Sequence, residues 1–353
     1  MKSYKNLWDK FISDENIELA IKNAKRGKSK RKSVRKYLDD PDFSNKVKRY
    51  AMTFKNKSHT PKVIYDGIQR KKRTIIVPSF EEQVVHHMVV NILKPIFSKS
   101  MYYHSYGSLP NKGAHRGKEA IEKWIKKGGK DCKYILKMDI AKYFDSIPHE
   151  ILITRLKRII RDDRFFGVLA EILSVTNRGI PLGFYTSQWI ANWYLTELDH
   201  YIKEVLKAKY YIRYMDDMVI FSGNKKELHK MQLAIQDYLS CNLGLKMKDN
   251  WQVFRFDYNG RFRCLDFMGF KFYRTRTILR RSIMLKASRK AKSIKKKKLT
   301  IYTARQMLSY LGWIKCADVY GFYIKHIKPY VNFGKLKRYV SRYDLKHKEL
   351  AYG

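Results

Sequence analysis

Cysteine is scarce and scattered in this chain. Its four cysteines, Cys132, Cys241, Cys264 and Cys316, stand far apart and form no CxxC pair, so neither a zinc site nor a disulfide framework is indicated. Long apolar runs are missing as well. No stretch approaches the roughly 18 residues of a membrane span, and the opening segment from Met1 to Lys10 carries no apolar core of a secretory signal. These absences point to a reduced cytoplasmic setting with no membrane partner. No Gly/Ser-rich or Pro-rich linker and no fixed-period repeat divides the 353 residues, which are enough for two or three linked subdomains. Acidic residues are heavily outnumbered: 32 Asp and Glu face 75 Lys and Arg, a formal net charge of +43. A surface this basic repels itself, and a polyanion is its natural counterpart. The 26 tyrosines, within an aromatic content of 14%, suit base stacking beside phosphate contacts better than burial in anionic lipid.

What is present divides by composition. Residues 15 to 58 read as helical and basic, with Lys25 to Lys36 dominated by Lys, Arg and Ser, a solvated or phosphate-facing run. Thr74-Ile75-Ile76-Val77 is a short β-prone run that follows Arg70-Lys71-Lys72-Arg73 and ends at Pro78. A helix is predicted from Phe80 to about Lys94, with Val84, Met88, Ile92 and Leu93 on one face. Tyr134 to Ile140 reads as a buried strand, Gln188 to Lys207 as one long helix, and Lys226 to about Leu239 as another helix. Cys264 to Tyr273 suggests a further strand. Beyond Lys286 the chain turns Lys-rich and helical, with Lys290, Lys292, Lys295, Lys296 and Lys297 in a segment suited to gripping backbone phosphates.

In so basic a chain the informative residues are acids in apolar surroundings. Asp216 and Asp217 lie between two strand-forming runs, Tyr211 to Met215 and Met218 to Phe221, which predicts a hairpin with the acid pair as its turn. Asp139 ends a separate apolar strand. Each feature has an ordinary reading, a turn for the pair and a helix cap for Asp139. If the two elements share a sheet, three carboxylates converge, and they persist as anions only with cations among them. Two Mg²⁺ ions, with Mn²⁺ as the alternative, fit such a set and would serve phosphoryl transfer.

Tyr214-Met215-Asp216-Asp217 is identical to the YMDD form of the reverse transcriptase active-site turn. Other motifs of that family follow in order. Asp139-Ile140-Ala141-Lys142-Tyr143-Phe144-Asp145-Ser146-Ile147 resembles its first catalytic-Asp motif, and Ser105-Tyr106-Gly107 with Pro110 and His115 resembles an upstream segment of group II intron and retron-like enzymes. Leu243-Gly244-Leu245-Lys246 and Asp266-Phe267-Met268-Gly269-Phe270 resemble the two motifs after the hairpin. The resemblance implies an α+β right-hand polymerase with an antiparallel palm sheet plus helices. Fingers would occupy 1–130 with a segment near 150–180, the palm 131–280, and a helical thumb and tail 281–353. It implies Asp139, Asp216 and Asp217 as catalytic metal ligands with the Ile140 carbonyl. Arg73 would contact the incoming dNTP, Phe144 would bar its 2′-hydroxyl, and Arg70, Lys71 and Lys72 would hold the template. Lys246 and Lys248 are both candidates for the general acid that serves the pyrophosphate.

One motif departs from the common pattern. Most reverse transcriptases carry Gln-Gly…Ser-Pro before the long helix, whereas this chain reads Leu182-Gly183-Phe184-Tyr185-Thr186-Ser187-Gln188. That form resembles the reverse transcriptases of diversity-generating retroelements, as does Ser309-Tyr310-Leu311-Gly312-Trp313. The resemblance places Leu182 and Gln188 at the dNTP. It implies error-prone copying of a template-repeat RNA, opposite adenine above all, into a cDNA/RNA duplex, with a small basic accessory protein in a bacterial or phage setting. A retron- or abortive-infection-type reverse transcriptase, and a catalytically silent RNA-binding polymerase fold, are the alternatives.

Overall fold

The computed structural model of the chain describes residues 3–66, 71–258, 260–296 and 298–349. Helices α1 (Trp8–Phe11), α2 (Asp14–Ala24), α3 (Lys32–Leu38) and α4 (Phe43–Met52) precede a hairpin of β1 (Lys62–Asp66) and β2 (Lys71–Ile75), then α5 (Phe80–Phe97). After α6 (Ala114–Gly128) come β3 (Tyr134–Asp139) and helices α7 (Tyr143–Ser146), α8 (His149–Ile159), α9 (Asp163–Leu173), α10 (Tyr185–Tyr194) and α11 (Thr196–His200). Strands β4 (Tyr210–Tyr214) and β5 (Asp217–Ser222), helix α12 (Lys225–Leu243) and strands β6 (Gln252–Arg255), β7 (Leu265–Phe267), β8 (Phe270–Phe272) and β9 (Thr277–Leu279) follow. The chain then continues through α13 (Arg281–Lys296), α14 (Ile301–Lys315), α15 (Tyr320–His326) and α16 (Phe333–Glu349). These elements form two compact units, Met1–Gly113 with Leu136–Val253, and Ala114–Ile135 with Phe254–Gly353.

The first unit is organised around α5, against which α2, α3, α4 and α10 pack. The helix starts where it does because of a capping box. The Ser79 hydroxyl accepts from the Glu82 N–H at 3.2 Å, and the Glu82 carboxylate accepts from the Ser79 N–H at 2.8 Å. Its buried face carries Val84, Val85, Met88, Val89 and Leu93, and at its far end Phe97 stacks on Trp193 with centroids 4.8 Å apart. Strands β4, β5, β3 and β6 lie in that order in one sheet, β4 and β5 as an antiparallel hairpin. This order sets the C-terminal end of β3 beside the hairpin.

The helix expected from Gln188 to Lys207 is broken. It divides into α10 and α11 at Leu195 and ends in a π-helical turn, Tyr201–Val205. A wider turn rotates the following side chains about the axis, which a pattern of 3.6-residue spacing does not reveal. The strand expected over Cys264 to Tyr273 is also two strands. Phe267 pairs with Phe270, leaving Met268 and Gly269 as a two-residue turn, both with positive φ (50° and 88°).

In the second unit β7, β8 and β9 form an antiparallel sheet, and α14 packs against α13 and α16. Trp313 tilts over Phe270, with centroids 5.1 Å apart. The mixed α and β class expected from the sequence is the class observed. Among the described residues no helix is long and apolar enough to cross a membrane.

Candidate active site

The hairpin turn differs by one residue from the expected one. Tyr214 pairs with Asp217, so the turn residues are Met215 and Asp216, and Asp217 opens β5. A turn this tight demands a positive φ, and Met215 supplies it at 56°. For a residue with a Cβ that conformation costs about 1–2 kcal/mol. Neighbours hold it there. The Met215 carbonyl accepts from Arg213 Nη1 at 3.0 Å, and Asn192 Nδ2 lies 3.2 Å from Met215 Sδ. Gly107 backs the turn so closely that a Cβ there would stand 2.5 Å from Met215 Cγ and 2.6 Å from Met215 N. The Ser105-Tyr106-Gly107 segment is fixed in turn by main-chain bonds to β4. Tyr106 N–H donates to the Arg213 carbonyl at 2.9 Å, and Arg213 N–H donates to the His104 carbonyl at 3.1 Å.

Arg213 is fully buried and forms a two-pronged ion pair with buried Asp199, Nε to Oδ1 at 2.8 Å and Nη2 to Oδ2 at 2.6 Å. The Tyr211 hydroxyl donates to the same Asp199 oxygen, Oδ1, at 2.7 Å. A buried guanidinium is tolerated only when paired and hydrogen-bonded, and breaking such a pair typically costs about 3–5 kcal/mol. Sequence reasoning missed this support. Its signal was an arginine inside an apolar strand, which requires an acid somewhere in the fold.

At the adjoining strand end, Lys248 N–H donates to the Asp139 carbonyl and Ala141 N–H to the Lys246 carbonyl, both at 2.8 Å. The Lys248 ammonium pairs with the Asp139 carboxylate, whereas Lys246 is exposed beside Asp249 at 3.8 Å. Asp139 and Asp216 meet. Burial first, then the charge of Asp139 and a hydrogen bond shared with it, push the Asp216 carboxyl up to about 7; the Asp217 charge adds less. Asp139 Oδ1 is buried with no hydrogen-bond partner. Two crowded carboxylates with an orphaned oxygen suit a hard divalent cation. Among the described residues no three His, Cys, Asp or Glu side chains close into a cation cage. Mg²⁺ does not need one, because it keeps waters and substrate oxygens in its shell.

Comparison with known proteins bears on this arrangement. The family model described as reverse transcriptase (RNA-dependent DNA polymerase) matches residues 55–272, more than half of the chain. The chain belongs to the reverse transcriptase family. Protein YkfC of Escherichia coli K12 is 23% identical over 145 residues, 38% of each chain. The group II intron-encoded protein LtrA of Lactococcus lactis subsp. cremoris is 26% identical over 196 residues, 50% of this chain and 32% of LtrA. The retron Ec73 reverse transcriptase of Escherichia coli is 27% identical over 205 residues, 53% of this chain and 62% of that relative. The chain thus spans less than two thirds of the length of each of these relatives.

The other site residues expected from the sequence lie as follows. Ile140 is fully buried and bridges to Met247. Phe144 is half-buried on α7; its carbonyl accepts from Ile180 N–H at 2.7 Å, and the Leu182 carbonyl accepts from Ile76 N–H at 2.7 Å. Main-chain bonds thus tie the 180–182 segment both to α7 and to the end of β2. Lys72 and Arg73 are exposed on β2, opposite Tyr65 and Ile64, and Lys71 opens that strand. Gln188 is exposed and lines a cavity of about 600 Å³ whose wall includes Lys28, Arg31 and Tyr185. In the second unit Lys292, Lys295 and Lys296 are exposed on α13 and Lys290 is half-buried, while Ala287 and Ala291 are buried. Arg70 and Lys297 lie outside the described residues.

Proposed function

We propose that this chain is an RNA-directed DNA polymerase that makes cDNA on an RNA template. The observation that carries the proposal is the meeting of Asp139, from the end of β3, with Asp216 on the strained β4–β5 turn. Held by Asp139, Asp216, Asp217 and the Ile140 carbonyl, a Mg²⁺ pair would supply the charge that activates a 3′-hydroxyl and neutralises the departing pyrophosphate. The protein's part is positioning. Arg213 and Gly107 hold the turn, the bond from Ile76 holds Leu182, and Phe144, half-buried on α7, is the residue we assign to barring the 2′-hydroxyl. Of the two lysines, Lys248 is beside the acids and is the one we assign to the leaving group.

Primer extension on an RNA template with dNTPs and Mg²⁺ tests the reading. Asp216→Ala/Asp217→Ala is expected to lower synthesis by at least about a thousandfold, the scale of losing the electrostatic centre of a phosphoryl-transfer site. Equal synthesis by wild type and variant would defeat it.

The finer proposal is a diversity-generating retroelement enzyme, working on a template-repeat RNA with a small basic accessory protein in a bacterial cell. It is supported by Leu182 in the loop before α10 and by Gln188 in the first turn of that helix. Leucine offers no amide hydrogen bond to the nascent pair, so Leu182→Gln is expected to lower misincorporation opposite template adenine several-fold. An unchanged error spectrum would remove the support. The similarity to the retron Ec73 enzyme favours a second reading, a retron-type reverse transcriptase, for which sequenced products would show no adenine-directed errors.

A further inference from the structure

The cavity that Gln188 lines belongs to the first unit and has an unusual wall. Lys28, Arg31, Lys36 and Lys62 line it together with Tyr37, Phe80, His87 and Tyr185, and among the described residues no Asp or Glu lines it. One side comes from residues 28–37, which precede the span matched by the reverse transcriptase family. That side belongs to a stretch with nine Lys and Arg and no acid between Glu18 and Asp39.

Lys28 is half-buried there, yet its ammonium donates to a neutral amide, Gln83 Oε1, at 2.6 Å. Burial, then the neighbouring Arg31, holds its pKa below the ordinary value. The described wall of the cavity thus gathers cations with no acidic side chain among them. His87 and Tyr185 stack at 4.2 Å with planes 29° apart, which leaves an aromatic surface in the same wall. Burial, then Lys28, pushes His87 down to about 4, so it adds an uncharged ring at neutral pH. A volume of about 600 Å³ falls within the range of about 300–1,000 Å³ typical of small-ligand sites.

We propose that this cavity binds a nucleotide of an unpaired RNA strand, its phosphate held by Lys28 and Arg31 and its base stacked on the Tyr185–His87 pair. Cations with an aromatic platform and no acid make the combination that unpaired strands use. A free nucleotide offers the same phosphate and base. The strand is favoured because the cations continue along residues 22–36, beyond the cavity, as a backbone would. The assignment rests on the polymerase reading for its choice of RNA.

The test is fluorescence anisotropy of a labelled, unpaired homopolymer RNA with the full chain, without dNTPs or metal, over a salt series. Lys28→Gln/Arg31→Gln is expected to weaken binding on the order of tenfold and to lower the salt slope by about 0.7, the contribution of one phosphate on a single strand. Tyr185→Leu is expected to weaken it on the order of tenfold for a strand with bases and not for an abasic strand. Lys225→Gln/Lys226→Gln, an equal charge loss on α12, is expected to change little. Equal losses in that control, or an unchanged slope in the cavity variant, would overturn the site. Displacement of the RNA by a free nucleoside triphosphate at matched phosphate concentration would overturn the strand in favour of the nucleotide. Should the first variant melt early, Lys36→Gln/Lys62→Gln on the same cavity carries the same expectation. Wild-type primer extension, run separately, tests the polymerase reading, so either failure can be told from the other.

Discussion

At the scale of single residues, the Asp216 carboxyl owes its position to neighbours that do no chemistry. Met215 takes a left-handed conformation that its own Cβ opposes, and Gly107, Asn192 and Arg213 hold it there. Gly107 is the cleanest probe, because an added methyl would collide with Met215 backbone and side chain at once. Gly107→Ala is expected to shift the turn by a fraction of an ångström to about 1 Å, and to cut DNA synthesis about a hundredfold. The melting temperature should fall by only a few degrees. Synthesis within twofold of wild type would show that the turn does not depend on this backing. The acids themselves were legible, since three Asp residues in apolar strands stand out in a basic chain. Their support was not: nothing in the spacing of Asp199 and Arg213 announces that they pair.

At the scale of elements, α5 joins capping, core and cavity. Its Ser79–Glu82 box, buried apolar face and two histidines are all local in sequence. His86 is buried, 3.0 Å from the Thr186 hydroxyl, and burial, opposed by Glu82, pushes it down to about 3. His87, pushed down to about 4, behaves alike. In the unfolded chain both take a proton near pH 6.5, so below that pH the unfolded state binds more protons than the native one. Stability is therefore fully present above about pH 6.5 and is lost as pH falls towards 4. At pH 5 the loss is on the order of 1–2 kcal/mol per histidine. His87→Phe, which keeps a ring on Tyr185, is expected to flatten part of that decline in melts between pH 7 and 5. A decline as steep as wild type would acquit His87. The starts of α5 and α12 were legible to within a residue, whereas their ends lie three and four residues beyond the expected Lys94 and Leu239. The break at Leu195 and the π-helical turn were not legible, because they rephase the helix after a pattern that reads as continuous.

At the scale of the whole molecule, charge is the controlling quantity. With a net charge of +43, folding brings like charges together. Added salt shortens the Debye length from about 14 Å at 50 mM to about 7 Å at 200 mM and screens that repulsion. The free protein is therefore expected to melt a few degrees higher across that range, while its affinity for RNA falls. Calorimetry and anisotropy on one sample would check both, and a melting temperature that fell with salt would refute the self-repulsion argument. Read by itself, the sequence determined the chemical class. Apolar strands ending in acids, an excess of cations and the ordered motifs are local patterns that short-range physics and family resemblance both reach. Only the tertiary structure decided that Asp139 meets Asp216, that Lys248 rather than Lys246 stands beside them, and that residues 114–135 group with the C-terminal unit. It also set the basic N-terminal segment and Tyr185 around one cavity. Such contacts join residues far apart in the chain, and their energy comes from strand order, burial and charge pairing that no local window contains.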